Sequence, residues 1–265
     1  YQYRSKRYVE HLDRYRYHYG IQHYRNKRKL KFKNLYEFGR LIPEIRRRTD
    51  ALMRSTDKRR RLHGTFLRLV DTCMFRPGAK GKRNKNKGLT TITEDNIKFI
   101  GGDGVQLEFT GKNNIVNKCV LCNKSVRKSL EESIQHNLLN KNIKLNKYLP
   151  EGATLRTWRV WGANRVFVEL CCKYPENRYK MLPIIFEKVA KKLCNTTRVC
   201  RSHYVNPYIQ RMYLKGGIRM RQTPYPFLLD SEYTLMVLLK YQNRKRRRRE
   251  QYYKGKKHYE KHYER

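Results

Sequence analysis

Apolar residues follow a helical spacing on both sides of one short block in which they alternate with polar residues. Before this block, apolar residues three and four apart predict a helix pair over residues 35–45 and 62–74, with Pro43 as the main irregularity. The block itself predicts strands separated by Gly-containing turns, at residues 89–93, 97–100, 105–109 and 115–121. The sequence therefore predicts helices on either side of a small antiparallel sheet.

After residue 125 the spacing is helical again. Further helices are predicted at residues 129–139, 157–172 and 182–193, and a last amphipathic run covers residues 233–239. The predicted fold class is α+β, mostly α-helical, with a small three- to four-stranded antiparallel sheet.

The charge of the chain limits the class of its partner. Lys and Arg number 63 against 22 Asp and Glu, which gives a formal net charge of +41 at pH 7. Such a charge raises self-repulsion and suits a polyanion, with nucleic acid as the first candidate and an anionic membrane surface as the alternative. No apolar run approaches the roughly 18 residues of a membrane span, and no basic amphipathic helix with a clean apolar face is present. Nucleic acid is therefore the predicted partner.

Basic residues are concentrated at both ends of the chain. We expect a basic aromatic arm over residues 1–34, a central domain over 35–230, and a helix with a basic tail over 231–265. The arm alternates aromatic and cationic residues, which suits stacking on bases or an extended path along phosphates; a solvated arm that only raises non-specific affinity is the alternative. The tail is predicted to add phosphate affinity, with nuclear import as the second choice. The candidate binding residues of the arm are Arg14, Arg16, Tyr17, Tyr19 and His23.

The seven cysteines do not suggest a disulfide framework, since their number is odd and Cys171 is adjacent to Cys172. We therefore expect a reducing, intracellular setting. Cys119 and Cys122 form one half of a zinc pattern without a second pair, and in a predicted strand we expect them to be small core residues. No dense carboxylate cluster would support a two-metal nuclease. We expect neither a metal nor a small-molecule cofactor, and a monomer.

Three isolated cations lie where a protein core does not normally place them. Arg76 follows a predicted helix at a Pro-Gly break, Lys112 lies at a tight hairpin, and Arg159 lies between two tryptophans. For each one alone, a surface or salt-bridge role is the default. A partly buried Arg with few carboxylates nearby favours an external anion, and Arg159 fits that description best.

Tyr204 is the candidate nucleophile, although it is one of 21 tyrosines and carries little weight alone. Its neighbours single it out: Asn195 precedes it by nine residues, and the basic Arg198 and Arg201, which are candidate DNA-binding residues, lie between the two. Guanidinium groups near a phenol favour the phenolate, which is the form that attacks a phosphodiester.

The order of these motifs resembles that of the type IB DNA topoisomerases, in particular their poxvirus-type and bacterial branch. The likeness extends from about residue 15 to residue 210. Each match alone is weak, but the ordered set is specific. The matches are Tyr19-Gly-Ile-Gln-His23, Phe38-Gly-Arg-Leu-Ile-Pro43, Phe75-Arg-Pro-Gly78, Gly88-Leu-Thr-Thr91, Phe109-Thr-Gly-Lys112, Arg159-Val-Trp-Gly-Ala-Asn164 and Asn195-Thr-Thr-Arg-Val-Cys-Arg-Ser-His-Tyr204.

The resemblance implies an enzyme that relaxes supercoiled double-stranded DNA through a 3′-phosphotyrosyl intermediate, without ATP or a metal. It assigns Tyr204 as the nucleophile, Lys112 as the general acid, and Arg76 and Arg159 as the arginines that clamp the phosphate. Residues 35–230 then form the catalytic domain, and we expect the family's small N-terminal β domain to be mostly missing from this sequence.

Two positions depart from the pattern of that family. Asn195 stands where many relatives have His, and an amide can donate a hydrogen bond but cannot carry a proton charge. Arg156 falls where the family has a second Lys, so it is a candidate DNA-binding residue and the alternative to Arg159 as the clamping arginine.

Two other functions compete with this one. A tyrosine recombinase uses the same nucleophile, but it typically has His-x-x-Arg where this chain has Arg156-x-x-Arg159. A non-catalytic basic nucleic-acid-binding protein fits the composition but does not account for the ordered motifs. We expect an intracellular, DNA-associated protein, in the nucleus, or in a virion or viral factory if a virus encodes it.

Overall fold

A computed structural model describes Phe32 and residues 34–78, 87–140 and 143–263, with the side chains of all these except residue 113 and residues 253–263. The first two helices, α1 (Leu35–Met53) and α2 (Lys58–Cys73), pack against each other as a hairpin. The predicted helix pair is confirmed, and α1 continues through Pro43.

Both ends of α2 are defined by local chemistry. The Asp57 carboxylate caps its first turn by accepting from the backbone N–H of Arg59 at 2.8 Å. At its other end Met74 adopts a left-handed conformation with φ of 53°, which ends the helix and redirects the chain. The next residues are Phe75 and Arg76, so the end of α2 determines where Arg76 lies.

The sheet has three antiparallel strands in the order β1-β2-β3: β1 (Ile97–Ile100), β2 (Gly104–Thr110) and β3 (Val116–Cys122). In the β2–β3 hairpin Thr110 pairs with Val116, which leaves the short connection that contains Lys112 at its tip. Three of the predicted strands are confirmed, together with both of their turns.

The predicted strand at residues 89–93 is wrong, because Leu89–Thr91 forms a 3-10 turn. The backbone N–H of Leu89 donates to Arg76 O at 2.9 Å, and that of Thr90 donates to Pro77 O at 2.7 Å. These donors bind the segment after α2 and are therefore not available to a neighbouring strand. The turn supports the Arg76 segment instead of extending the sheet.

After the sheet the described chain is helices joined by loops, and the helices predicted at residues 129–139, 157–172 and 182–193 have bounds one to five residues from those predicted. The α+β class, mostly helical with one three-stranded antiparallel sheet, is confirmed. The remaining helices are α3 (Lys124–Gln135), α4 (Leu155–Lys173), α5 (Arg178–Lys192), α6 (Thr197–His203), α7 (Pro207–Leu214) and α8 (Asp230–Tyr263).

Helix α4 lies in the centre of the molecule and packs against α1, α2, α5 and α8. Its two tryptophans are fully buried and donate their ring N–H groups to carboxylates, Trp158 to Asp71 and Trp161 to Glu232. Arg46 pairs with the same two carboxylates at 2.7 Å each. A buried polar network therefore joins α1, α2, α4 and α8. Its charged groups can be buried because each one is paired with an opposite charge.

The cysteines depart from the sequence-based expectation. Cys73, the last residue of α2, forms a disulfide with Cys119 in β3, and Cys122 is exposed, so neither Cys119 nor Cys122 is a simple core residue. The bond is possible because α2 ends against the sheet, a tertiary contact that the spacing of the cysteines does not reveal.

The last helix is longer than the predicted amphipathic run. Its first part is buried through Leu235, Leu238 and Leu239, and the basic run at residues 244–249 continues the same helix into solvent. The division of the chain at residues 34 and 230 stays a prediction. Among the described helices, none is both long and apolar enough to cross a membrane.

Candidate active site

Tyr204 lies at the junction of two short helices. It is the C-cap of α6, whose N-terminus is capped by the Thr196 hydroxyl, and two residues later Asn206 caps α7, which begins with Pro207. The Tyr204 side chain is half-buried. Because side-chain caps start both helices and the backbone N–H of Tyr204 donates to Cys200 O at the end of α6, the main chain at Tyr204 has little freedom to shift.

Asn164 of α4 binds the main chain on both sides of this junction. Its side-chain N–H₂ donates to the carbonyl oxygen of Tyr204 at 2.8 Å and to Val160 O at 2.7 Å, and its carbonyl accepts from the backbone N–H of Asn206 at 2.7 Å. The residue is fully buried. The sequence analysis used Asn164 only to set a register, and no local signal distinguishes it from other helical asparagines.

Arg159, one turn earlier on α4, lies beside the ring of Tyr204, with its guanidinium carbon 5.4 Å from the ring centre. Its two terminal nitrogens donate to Met74 O and Leu193 O, the C-cap residues of α2 and α5. The cation is therefore held between the negative ends of two helix dipoles. Its Nε is buried without a hydrogen-bond partner among the described residues.

Gly162 allows this arrangement by letting the end of α2 approach α4. A Cβ atom at this position would come within 2.5 Å of the Met74 sulfur. A larger residue would push Met74 away and with it the carbonyl oxygen that binds Arg159. Burial lowers the pKa of Arg159, and the nearby Arg76 lowers it further, whereas the charge and hydrogen bond of Tyr204 raise it. Arginine nevertheless stays protonated at neutral pH.

Arg76 and Asn195 form the other side of the site. The Arg76 guanidinium donates to the Asn195 side-chain oxygen at 3.2 Å, which fixes the amide with its N–H₂ group free to donate elsewhere. That nitrogen is buried and has no hydrogen-bond partner among the described residues. The backbone N–H of Asn195 donates to Ala190 O at 3.0 Å, so the end of α5 positions it.

These charges act directly on Tyr204. Burial by itself raises the pKa of the phenol, but the positive charges of Arg159 and Arg76, together with hydrogen bonds from both, outweigh it and leave the pKa below its usual value. The site therefore stabilises the phenolate, the nucleophilic form of tyrosine.

Lys112 lies at the tip of the β2–β3 hairpin and is exposed, with no hydrogen bond or ion pair to another described residue. The hairpin is fastened to the Arg76 segment, because Phe109 makes an edge-on contact with Phe75 at 5.0 Å between ring centres. Gly111 is required in the turn, since a Cβ atom there would lie 2.5 Å from the side-chain nitrogen of the buried Asn117. The Lys112 side chain thus extends into solvent from a fixed base.

The other predicted residues lie around this centre or outside the described chain. Arg156 is exposed, one turn before Arg159, so Arg159 and not Arg156 contacts the Tyr204 ring. Arg198 and Arg201 are exposed on α6, and Arg201 also lies over the ring of Phe186 at 5.7 Å. Residues that lie outside the described ranges are Arg14, Arg16, Tyr17, Tyr19 and His23. Within those ranges, no group of three or more His, Cys, Asp or Glu side chains could hold a metal ion.

Comparison with known proteins is consistent with this geometry. The model of a family described as eukaryotic DNA topoisomerase I, catalytic core, matches residues 21–214, most of the chain. The chain belongs to the type IB DNA topoisomerases. It is also similar to DNA topoisomerase 1B of Acanthamoeba polyphaga mimivirus, with 25% identity over 238 residues, which covers 76% of this chain and 69% of the viral protein.

Membership in this family decides between the functions that the sequence left open. The protein is an isomerase that acts on DNA, rather than a recombinase or a non-catalytic binding protein. Its assignment to the poxvirus-type branch, its cellular compartment and its monomeric state stay predictions.

Proposed function

We propose that this topoisomerase relaxes supercoiled DNA by cutting one strand with Tyr204, through a 3′-phosphotyrosyl intermediate and without ATP or a metal ion. The single observation that carries the proposal is the pair of guanidinium groups beside the Tyr204 phenol, which lowers the pKa of that phenol despite its burial. A cationic site of this kind binds a phosphodiester and activates the nucleophile together.

In the cleavage step the Tyr204 oxygen bonds to phosphorus, and the phenolic proton is released to solvent. Negative charge then grows on the two non-bridging oxygens. Among the described residues, Arg159 Nε and the Asn195 side-chain nitrogen are buried donors without a partner, as expected for groups that bind these oxygens. Arg76 keeps further N–H donors beyond the one that binds Asn195. Asn195 acts in this role as a hydrogen-bond donor only.

The bond between phosphorus and the 5′ sugar oxygen breaks as the new bond forms. The departing alkoxide is a poor leaving group unless it is protonated. We assign Lys112 as its general acid, because Lys112 is exposed and has no ion pair to another described residue. The cut strand then carries a free 5′ hydroxyl and swivels about the intact strand. Attack of that hydroxyl on the phosphotyrosine restores the phosphodiester, so the ester conserves the bond energy and no ATP is consumed.

The replacement Tyr204→Phe tests the proposal, because it removes only the nucleophilic oxygen. We expect the variant to lose all relaxation of a supercoiled plasmid while its affinity for linear duplex stays within about twofold of the parent. Tyr179→Phe is the matched control, since Tyr179 is 77% exposed on α5. Relaxation is also expected to persist in EDTA. Relaxation by the Tyr204→Phe variant would refute the assignment of the nucleophile, and full loss in EDTA would refute metal independence.

A further inference from the structure

The last helix connects the nucleophile to a strongly basic surface. The side-chain N–H₂ of Asn206, two residues after Tyr204, donates to the Gln242 side-chain oxygen at 2.9 Å. Gln242 lies where α8 leaves the core, because Leu239 is buried and residues 244, 245 and 247–252 are exposed. The run Arg244–Arg249 consists entirely of Lys and Arg. The basic part of α8 therefore starts beside the nucleophile.

One face of this helix continues a basic groove on the body of the protein. The groove has a volume of about 310 Å³ between α7 and α8, and its lining includes Arg219, Arg221 and Lys245. Lys245 and Arg249 lie three and seven residues after Gln242, so they share its face, and Arg248 is the i+3 neighbour of Lys245. We call Lys245, Arg248, Arg249, Arg219 and Arg221 the α8 basic face.

We propose that the α8 basic face is a second DNA-binding surface, which holds the duplex next to the phosphate that Tyr204 attacks. The inference rests on the proposed function, because that function places the scissile phosphate at Tyr204. From Gln242 to Tyr252 the helix is about 15 Å long, and one DNA strand carries a phosphate about every 3.4 Å. This length matches about four phosphates, so the three cations on the helix have enough phosphates within reach.

The charge pattern of α8 favours a polyanion rather than a lipid surface. Like charges four residues apart, such as Arg244 with Arg248 and Lys245 with Arg249, repel each other on an isolated helix. Within the described part of this run, Arg246 pairs with Glu250 at 3.5 Å, and the other cations have no carboxylate partner. A membrane-surface helix needs an apolar face, and residues 243–251 contain no apolar side chain.

The test is the salt dependence of duplex binding, measured in the Tyr204→Phe background so that cleavage does not interfere. The variant K245Q/R248Q/R249Q removes three phosphate contacts. Each contact contributes about 0.9 to the slope of log affinity against log salt, so the slope is expected to fall by about 2.7. Between 50 and 200 mM salt the parent should therefore lose about 40-fold more affinity than the triple variant.

The matched control is K240Q/R244Q/R247Q, which removes the same charge from residues of the same helix outside the α8 basic face and should change the slope by less than 1. An unchanged slope in K245Q/R248Q/R249Q, or equal losses in both triple variants, would overturn the proposal. A selective loss of binding to anionic lipid vesicles, with duplex binding intact, would also overturn it. Failure of the proposed function is visible separately, because the protein with Tyr204 intact would then form no covalent adduct at Tyr204, whatever the salt slopes are.

Discussion

Removal of the Asn164 side chain should impair the nucleophile, although Tyr204 itself is unchanged. In Asn164→Ala, the carbonyl oxygen of Tyr204 and the backbone N–H of Asn206 lose partners at 2.8 and 2.7 Å in a buried region. Each unsatisfied buried group costs about 1–3 kcal/mol, so we expect the free energy of unfolding to fall by about 3 kcal/mol. For a protein of this size that corresponds to a Tm lower by roughly 6–12 °C.

In Asn164→Ala the cleavage rate should be affected more strongly than the free energy of unfolding. Without the Asn164 contacts the main chain at Tyr204 can shift, and a misplacement of about 1 Å can slow a reaction by about 100-fold. The measurement is single-turnover cleavage of a suicide duplex at saturating protein, well below the Tm of the variant. Thr65→Val is the matched control, because it removes the buried hydroxyl that bonds Arg61 O and Ser129 in α2 and α3. A folded Asn164→Ala protein that cleaves at the parental rate would refute the positioning role.

Two further predictions concern the protons of the reaction. Because Arg159 and Arg76 hold the pKa of Tyr204 below its usual value, the phenolate forms at lower pH than in a free tyrosine. The single-turnover cleavage rate should therefore rise with pH and level off below about pH 10. Arg76→Gln should move the midpoint of this pH–rate profile to higher pH. An unmoved midpoint would contradict the electrostatic origin of the lowered Tyr204 pKa. Lys112→Ala should slow cleavage by about 100- to 10,000-fold, and a substrate with sulfur in place of the 5′ bridging oxygen should recover most of the rate, because a thiolate leaves without a proton. Lys118→Ala, at a surface cation paired with Glu108, is the control, and no recovery with the sulfur substrate would exclude Lys112 as the acid.

Much of the fold was predictable because it depends on local pattern. The helices α1 and α2, the β2–β3 hairpin and the turn at Lys112 follow from spacing and glycine position. The strand predicted at residues 89–93 failed because Leu89 and Thr90 donate to the chain after α2, at Arg76 and Pro77. That contact depends on the tertiary structure, and the alternation of apolar and polar residues at 89–93 does not reveal it.

The candidate site divides in the same way. The resemblance to the type IB family picked out Arg76, Arg159, Asn195 and Tyr204, which the structure brings together, and Lys112, whose role stays a prediction. Their supports were not identifiable: Arg159 is oriented by carbonyl groups 85 and 34 residues away in the chain. Asn164 holds Tyr204 across 40 residues, and the disulfide from Cys73 to Cys119 spans 46. Such partners meet only when the helices pack, and no short-range rule predicts which carbonyl will face a given side chain.

The central claim is that Tyr204 becomes covalently linked to the 3′ end of the cut strand. The most direct measurement traps the protein on a suicide duplex, digests the denaturant-resistant adduct, and identifies the linked residue by mass spectrometry. We predict a single phosphotyrosyl peptide that contains Tyr204, with the 5′ end of the released strand as a free hydroxyl. An adduct at another residue, or cleavage that leaves a 5′ phosphate on the released strand, would contradict the proposed mechanism.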